Sequence, residues 1–298
     1  MMNSVLMSLK NSMSTTKTLI VVVGPTAIGK TSYSIQLAKK LNTEIISADS
    51  RQFYKEMSIG TAVPNHQDLK QVKHHFIHNK SVIDNYNVGH FEKEAIQKIS
   101  QLFKKHDSLI LTGGSGLYID AVCYGLNDFP IIDHEVRHKT RKEFEKNGLE
   151  WLKSELKKKD IEYYNNVDTK NPQRLLRALE VCNQTKKTYS HFINQEKPKR
   201  SFKLEFRGLK TSREKLYDKI NHRVDNMINQ GLVEEVKSLK EFQNLNPLQT
   251  VGYKEIFDFL DQKHPLDRAI ELIKQNTRRY AKRQITWFKK YQMKWIDV

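Results

Sequence analysis

Cysteine is scarce in this chain: only Cys123 and Cys182 occur. They lack metal-ligand spacing and have no histidine cluster beside them. That excludes a zinc ribbon or a disulfide scaffold and suits free thiols in a reducing, cytoplasmic setting. Long apolar runs are missing as well. No stretch reaches the ~18 residues of a membrane span, and Val5, Leu6, Met7 and Leu9 are too few for a signal-peptide core. Residues 1–18, rich in Ser, Thr, Met and Lys, are expected to form a disordered leader. Acid is in short supply: 34 Asp+Glu against 51 Lys+Arg leave a net charge of +17. Such an excess attracts a polyanion, usually nucleic acid, unless the lysines only solvate the surface. There is no internal repeat and no low-complexity tract. With 298 residues, 38% of them hydrophobic, the chain can bury the core of one large or two small domains.

The strongest local signal is the octapeptide GPTAIGKT at 24–31, which follows the apolar run Leu19-Ile20-Val21-Val22-Val23. A buried strand running into G-x-x-x-x-G-K-[ST] is the pattern of a phosphate-binding loop, or P-loop. Gly24 and Gly29 let the backbone curl until successive N–H groups face phosphate oxygens. Lys30 adds a full positive charge, and the Thr31 hydroxyl can ligate Mg²⁺. A helix starting near Lys30 turns its N-terminal dipole toward the same anion. The loop therefore implies a bound diphosphate or polyphosphate, and leaves open which one.

Strands are expected at 19–23, 44–48 and 108–112, with helices at 30–41 and 90–105 between them. This alternation, with ligand loops at strand C-termini, reads as an α/β fold: a P-loop NTPase-like parallel sheet core. Texture changes at Gly125. Residues 125–200 are helical by pattern and hold 17 basic against 12 acidic residues. The segment Phe202–Leu209 then alternates as a returning strand. Hence 125–200 is expected to be a helical insertion domain in a core made of 19–124 and 201–298. A last helix over about 268–292 divides by angle. Ile273, Tyr280, Ala281, Trp287, Phe288 and Tyr291 fall on one face, and Lys274, Arg278, Arg279, Lys282, Arg283, Lys289 and Lys290 on the other. That basic face, with Arg279, Lys282 and Arg283 at its centre, is expected to meet a phosphate backbone.

One further absence matters. P-loop ATPases and kinases usually hold Mg²⁺ with an Asp at the end of a neighbouring strand. Here the strand at 108–112 runs into Gly113-Gly114-Ser115-Gly116 without an acid. The acid at a strand end is Asp49, in Asp49-Ser50-Arg51-Gln52. It could be a metal ligand, a general base or a helix N-cap. The glycine-rich 113–118 segment could be a tight turn or a third wall of the same site. The trio His74, His75 and His78 has no spaced carboxylate or cysteine and makes a poor metal site.

Taken together, GPTAIGKT (24–31), DSRQFY (49–54), HHFI (74–77), GGSGLY (113–118), PQRLLRALEV (172–181), GLVEEV (231–236), VGYKE (251–255) and TRRYAKRQITWF (277–288) resemble the tRNA dimethylallyltransferase family, in order and over nearly the whole chain. The resemblance implies transfer of a dimethylallyl group from its diphosphate to the exocyclic amine of adenosine 37, beside the anticodon, in tRNAs that read codons starting with U. It also implies Mg²⁺ as cofactor and the tRNA anticodon stem-loop and dimethylallyl diphosphate as partners. A monomer without membrane attachment is expected.

On that resemblance Gly24, Pro25, Thr26, Ala27, Ile28, Gly29, Lys30 and Thr31 cradle the diphosphate, with Thr31 on the metal. Asp49 takes or orients the amine proton, and Ser115 stands where Thr is usual. Arg223 matches an arginine that steadies the leaving diphosphate. Asp49, Ser50, Arg51, Gln52, Ser115, Arg137, Gln173, Arg174, Leu175, Leu176 and Arg177 match positions that touch tRNA. The target base is expected to leave its stack, with Arg51 and Phe53 as candidate faces to receive it. Asn171 and Lys186 depart from an Asp and a Gly. The zinc-finger extension of eukaryotic relatives is absent, which points to the bacterial type. Competing readings are a P-loop kinase or NTPase and a non-catalytic RNA-binding protein.

Overall fold

The structure, a computed structural model, describes residues 16–298; residues 1–15 of the expected leader lie outside the described residues. The remainder of that leader belongs to the fold. Lys17 pairs with Asp107 at 2.8 Å, its carbonyl accepts from Lys203 N–H at 2.8 Å, and Thr18 opens the first strand.

In chain order the elements are β1 (Thr18–Val23), α1 (Lys30–Leu41), β2 (Ile45–Ser47), α2 (His66–Gln71), β3 (His74–His75), α3 (Val88–Leu102), β4 (Ser108–Thr112) and α4 (Gly116–Tyr124). Then come α5 (His134–Lys159), α6 (Ile161–Asn166), α7 (Pro172–Thr185) and α8 (Tyr189–Ile193). The chain returns through β5 (Lys203–Lys210), α9 (Arg213–Asn229), α10 (Leu232–Ser238), α11 (Tyr253–Leu260), α12 (Leu266–Phe288) and β6 (Lys294–Asp297). The chain divides into two compact units, one formed by residues up to Tyr124 together with Arg200–Val298, the other by Gly125–Lys199.

The first unit is built on a six-stranded sheet of order β3-β2-β4-β1-β5-β6, with every pairing parallel. Its central strands are apolar at successive positions because both faces are covered. Leu19, Val21, Val23, Leu109 and Leu111 join Phe91, Ala95 and Ile99 of α3 in one core layer. Ile20, Val22 and Ile110 join Ile35 and Ala38 of α1 and Ile220 of α9 in the other. The C-terminal ends of β1, β2 and β4 thus converge, and their loops lie side by side, the usual ligand position in an open parallel sheet.

Arg200 belongs to this unit: its guanidinium pairs with Glu92 at 2.5 Å and donates to the carbonyls of Ala121 and Val122. The final helix stops at Phe288, short of the expected 292, and the last residues form β6 beside β5. Four residues at an edge carry too little pattern to mark a strand, and the two-residue β3 carries less.

The second unit is helical and has a core of its own around Leu152, Leu156, Leu175, Leu176 and Leu179. Asn171 caps α7 by accepting from Arg174 N–H at 3.3 Å. A short side-chain oxygen meets that need whether the residue is Asn or Asp. Lys186 ends the same helix at φ 60°, the left-handed conformation that glycine reaches without strain. Both sequence departures therefore stand at helix ends.

Candidate active site

The P-loop leaves β1 and enters α1 through Gly29, whose φ of 107° is strained for any residue with a Cβ. Among the described residues no side chain competes for the first N–H groups of α1. No side chain caps it, and its first turn holds no acid. A 12-residue helix with free N-terminal donors is an anion site in waiting. The side chains of Ala27 and Ile28 are buried, so these residues offer a ligand their backbone rather than their side chains. Lys30 folds back, its Nζ donating to the carbonyls of Gly24 and Pro25 at 2.9 Å each. The residue keeps some exposure, yet its ammonium is enclosed. Desolvation, aided by the nearby Arg223 charge and opposed by Asp49, lowers its pKa to about 7.

Arg223 reaches over from α9 and donates to the Thr26 hydroxyl at 3.2 Å. Burial lowers its pKa too, and Asp49 counters the effect. Two cations thus lie beneath one loop with a single carboxylate close by.

Asp49 ends the β2 segment. No helix follows it, so the N-cap alternative falls: its Oδ1 accepts from the N–H of Arg51 at 3.1 Å, closing an Asx turn. Ser115 braces that turn, accepting from Ser50 N–H at 2.9 Å and donating to Ser50 Oγ at 3.0 Å. Gly113 lies so close to Ala48 that a Cβ would collide with its backbone carbonyl. Position 113, just past the end of β4, thus has no room for any side chain.

Two cavities meet at these loops. The larger, about 220 Å³, is bounded by Thr26, Asp49, Arg51 and Arg223 and by the apolar Val224, Met227, Val251 and Ile273. The smaller, about 50 Å³, is lined by Lys30, Thr31, Ser47, Asp49 and Thr112 among others. Asp49 belongs to both. The oxygen donors Thr31, Ser47, Asp49 and Thr112 suit a hard divalent ion such as Mg²⁺, which takes few protein ligands and completes its shell from phosphate and water. Among the described residues no three His, Cys, Asp or Glu side chains gather as a metal cage. His75 is engaged with Glu44 at 2.6 Å, and His74 Nδ1 lies 2.8 Å from the Val72 carbonyl.

Several expected contact residues are otherwise occupied. Phe53 is fully buried among Phe91, Tyr86 and Tyr118, so it offers no face to an extruded base. Leu175 and Leu176 are core residues of the second unit, leaving Gln173 and Arg174 as the exposed neighbours. Gln52 donates to the carbonyls of Thr61 and Ala62 at 3.2 Å. Arg137 is half-exposed and lies 3.8 Å from the buried Glu180; Arg177 sits over the Phe129 ring. On α12 the basic face is narrower than its angles imply. Lys274 pairs with Asp225 at 2.5 Å, Arg278 donates to Asn221 at 2.7 Å, and Lys290, just past the helix end, pairs with Asp120. Arg279, Lys282 and Arg283 remain exposed.

Gln284, buried near the C-terminal end of α12, has a place that no composition signals. Its Oε1 accepts from the P-loop Thr26 N–H at 2.8 Å and its Nε2 donates to Gly114 O at 2.9 Å. It ties the P-loop to the 113–116 loop. Tyr280, one turn earlier, donates to the same Gly114 carbonyl at 3.2 Å. The only sequence clue to Gln284 is an amide at the angle of the apolar stripe.

A family model described as IPP transferase matches residues 52–291. The tRNA dimethylallyltransferase of Christiangramia forsetii is 54% identical over 280 residues, covering 94% of this chain and 93% of that protein. That of Flavobacterium psychrophilum is 52% identical over 94% and 93% of the two chains. Among solved structures, the full-length tRNA isopentenylpyrophosphate transferase of Bacillus halodurans superposes with a TM-score of 0.68 at 37% identity, covering 94% of this chain and 90% of that one. A eukaryotic dimethylallyltransferase acting on tRNA gives 0.81 at 28% identity, over 94% and 74%. A P-loop whose neighbouring strand β4 ends without an acid, a lone carboxylate shared by two cavities, and these likenesses over nearly the full length agree: the chain belongs to the IPP transferase family of tRNA dimethylallyltransferases.

Proposed function

We propose that this protein transfers the dimethylallyl group of dimethylallyl diphosphate to the exocyclic amine of adenosine 37, beside the anticodon, in tRNAs that read codons starting with U. One observation supports this most: Asp49 lines both the polar cavity of Lys30 and Thr31 and the larger cleft with its apolar wall. An anion site, an apolar recess and a proton acceptor thus share one residue.

The free N–H groups at the start of α1, with Lys30 and Arg223, hold the diphosphate. Val224, Met227, Val251 and Ile273 receive the isoprenoid tail. The amine lone pair forms the new N–C bond to the allylic carbon as the C–O bond breaks, and its electron pair leaves with the diphosphate. Lys30 and Arg223 stabilise the charge that grows there. The proton lost by the amine passes to the Asp49 carboxylate. Mg²⁺, held by Thr31 and the diphosphate oxygens, would supply further neutralisation of the leaving group.

Arg51, Arg137, Gln173, Arg174 and Arg177, with Arg279, Lys282 and Arg283, are the side chains we assign to the tRNA, and the 125–199 unit is assigned to its anticodon stem-loop. The enzyme works as a monomer in the cytoplasm, where its RNA substrate is found. Incubation with labelled dimethylallyl diphosphate, Mg²⁺ and total tRNA, followed by nucleoside analysis, tests the reading. The label is expected on adenosine next to the anticodon. ATP or GTP hydrolysis without label transfer would favour a kinase or NTPase, and tRNA binding with neither activity a non-catalytic RNA-binding protein.

A further inference from the structure

Two stretches of the resemblance, GLVEEV (231–236) and VGYKE (251–255), enter the chemistry above only through Val251, yet one further residue of each closes on the same loop. Residues 57–63 form a compact turn. Ala62 N–H donates to Ile59 O at 3.0 Å and Val63 N–H to Ser58 O at 3.2 Å, while the Thr61 hydroxyl donates to Met57 O at 2.6 Å. Gly60, Thr61 and Ala62 line the larger cleft that Asp49 also lines. Ala62 stands at φ 50°, a left-handed conformation that persists in a residue with a Cβ only where the surroundings hold it.

Glu235 of α10 does the holding. Its Oε2 accepts from the N–H groups of Ser58 at 2.9 Å and Ile59 at 2.7 Å, and its Oε1 from Gly60 N–H at 3.0 Å. Oε1 also accepts from the Tyr253 hydroxyl at 2.6 Å. Tyr253 is itself fully buried, and Gly60 lies so flat on its ring that a Cβ would collide with it. From the opposite direction Gln52 holds the carbonyls of Thr61 and Ala62. Three successive N–H groups converging on one point make an anion nest. Here the anion is the protein's own carboxylate, and such charge-assisted bonds are stronger than neutral ones.

We propose that Glu235, braced by Tyr253, is a positioning residue for prenyl transfer: it latches the Ser58–Ala62 loop as the wall that aligns the acceptor base with Asp49. This rests on the reading of the larger cleft as the place where the amine is alkylated. Gly60, Thr61 and Ala62 border that cleft and not the smaller cavity of Lys30 and Thr31. Loosening the latch should therefore disturb the acceptor and spare the diphosphate.

Glu235→Gln tests it. The amide keeps the volume but offers a single acceptor oxygen. With that oxygen on Ser58 and Ile59, the NH₂ group faces Gly60 N–H donor to donor, while the Tyr253 hydroxyl turns to accept. Gly60, the cleft residue, is the one released. The expected result is a fall in kcat of roughly 10- to 100-fold, the scale at which small misplacements act. The KM for dimethylallyl diphosphate should stay within about twofold, because the P-loop is untouched. Hydrogen exchange should accelerate at the Gly60 amide and not across the sheet. Tyr253→Phe removes one brace and should shift kcat the same way by less. An unchanged kcat in Glu235→Gln overturns the latch, as does an equal loss of diphosphate binding with general loss of exchange protection. A wild-type protein that transfers no label overturns the reading of the site itself, a result separable from an active wild type with an equally active variant.

Discussion

Burial of the Lys30 ammonium, with the Arg223 charge close by, lowers its pKa from 10.5 to about 7 although it donates to two carbonyls. The unfolded chain therefore binds a proton that the folded one releases between those two values, so the position's contribution to stability rises with pH across that window. A bound diphosphate reverses the preference by restoring the charged form. Diphosphate binding then takes up a proton above pH ~7, and Kd should rise about tenfold per pH unit there. Titration calorimetry with a non-reactive prenyl diphosphate analogue should show this slope, and Lys30→Arg, which stays charged, should flatten it. A flat profile in the native protein would show that Lys30 is already charged in the free site. Asp49 makes a second prediction. Asn at 49 can keep the Asx turn to Arg51 N–H but cannot take a proton. Asp49→Asn should lower single-turnover transfer by ~10²–10⁴-fold with tRNA affinity changed by no more than a few-fold. Collapse of tRNA binding with intact chemistry would make Asp49 a binding residue.

At the scale of elements, α12 shows what angles can and cannot say. Its apolar stripe was legible because Ile273, Ala281 and Phe288 repeat at helical spacing, and all three are buried. The basic side was only partly legible. A helical wheel separates charge from apolar residues but does not know that Asp225, Asn221 and Asp120 wait beside Lys274, Arg278 and Lys290. The same limit hid Gln284 and Glu235, whose partners are backbone groups far away in sequence. It also placed Phe53, Leu175 and Leu176 among contact residues when packing had claimed them. The P-loop and all of its strand but Thr18 were legible, since their pattern is local: one strand, two glycines, a lysine and a helix start. The exposed remainder of α12 is testable. Changing Arg279, Lys282 and Arg283 together to Gln should weaken tRNA binding and flatten the dependence of log K on log salt by about 0.7–0.9 for each phosphate no longer neutralised. Prenyl diphosphate affinity should not move. A wild-type slope in the triple variant would assign these charges to solvation.

For the whole molecule, the decisive property is that each unit carries its own core. All six strands, the P-loop, Asp49 and Arg223 lie in the first unit, whereas Leu152, Leu156 and Leu179 pack within the second. The first unit also keeps the ends of the excursion together, because Arg200 donates to the carbonyls of Ala121 and Val122 at 2.6 and 2.9 Å. A short linker replacing 125–199 would then span a gap that the core already closes, and a short loop costs little closure entropy. The shortened protein should unfold cooperatively and bind the prenyl diphosphate analogue within a few-fold of the full chain. Its tRNA affinity should fall by about tenfold or more, as expected when several phosphates are deprived of basic partners together, and transfer should fall with it. Calorimetric unfolding, diphosphate titration and filter binding of tRNA at one fixed salt concentration measure the three quantities on the same preparation. Undiminished tRNA affinity would move the RNA path onto the first unit alone. Loss of diphosphate binding by a core that still melts cooperatively would mean that the helical unit helps to shape the P-loop site.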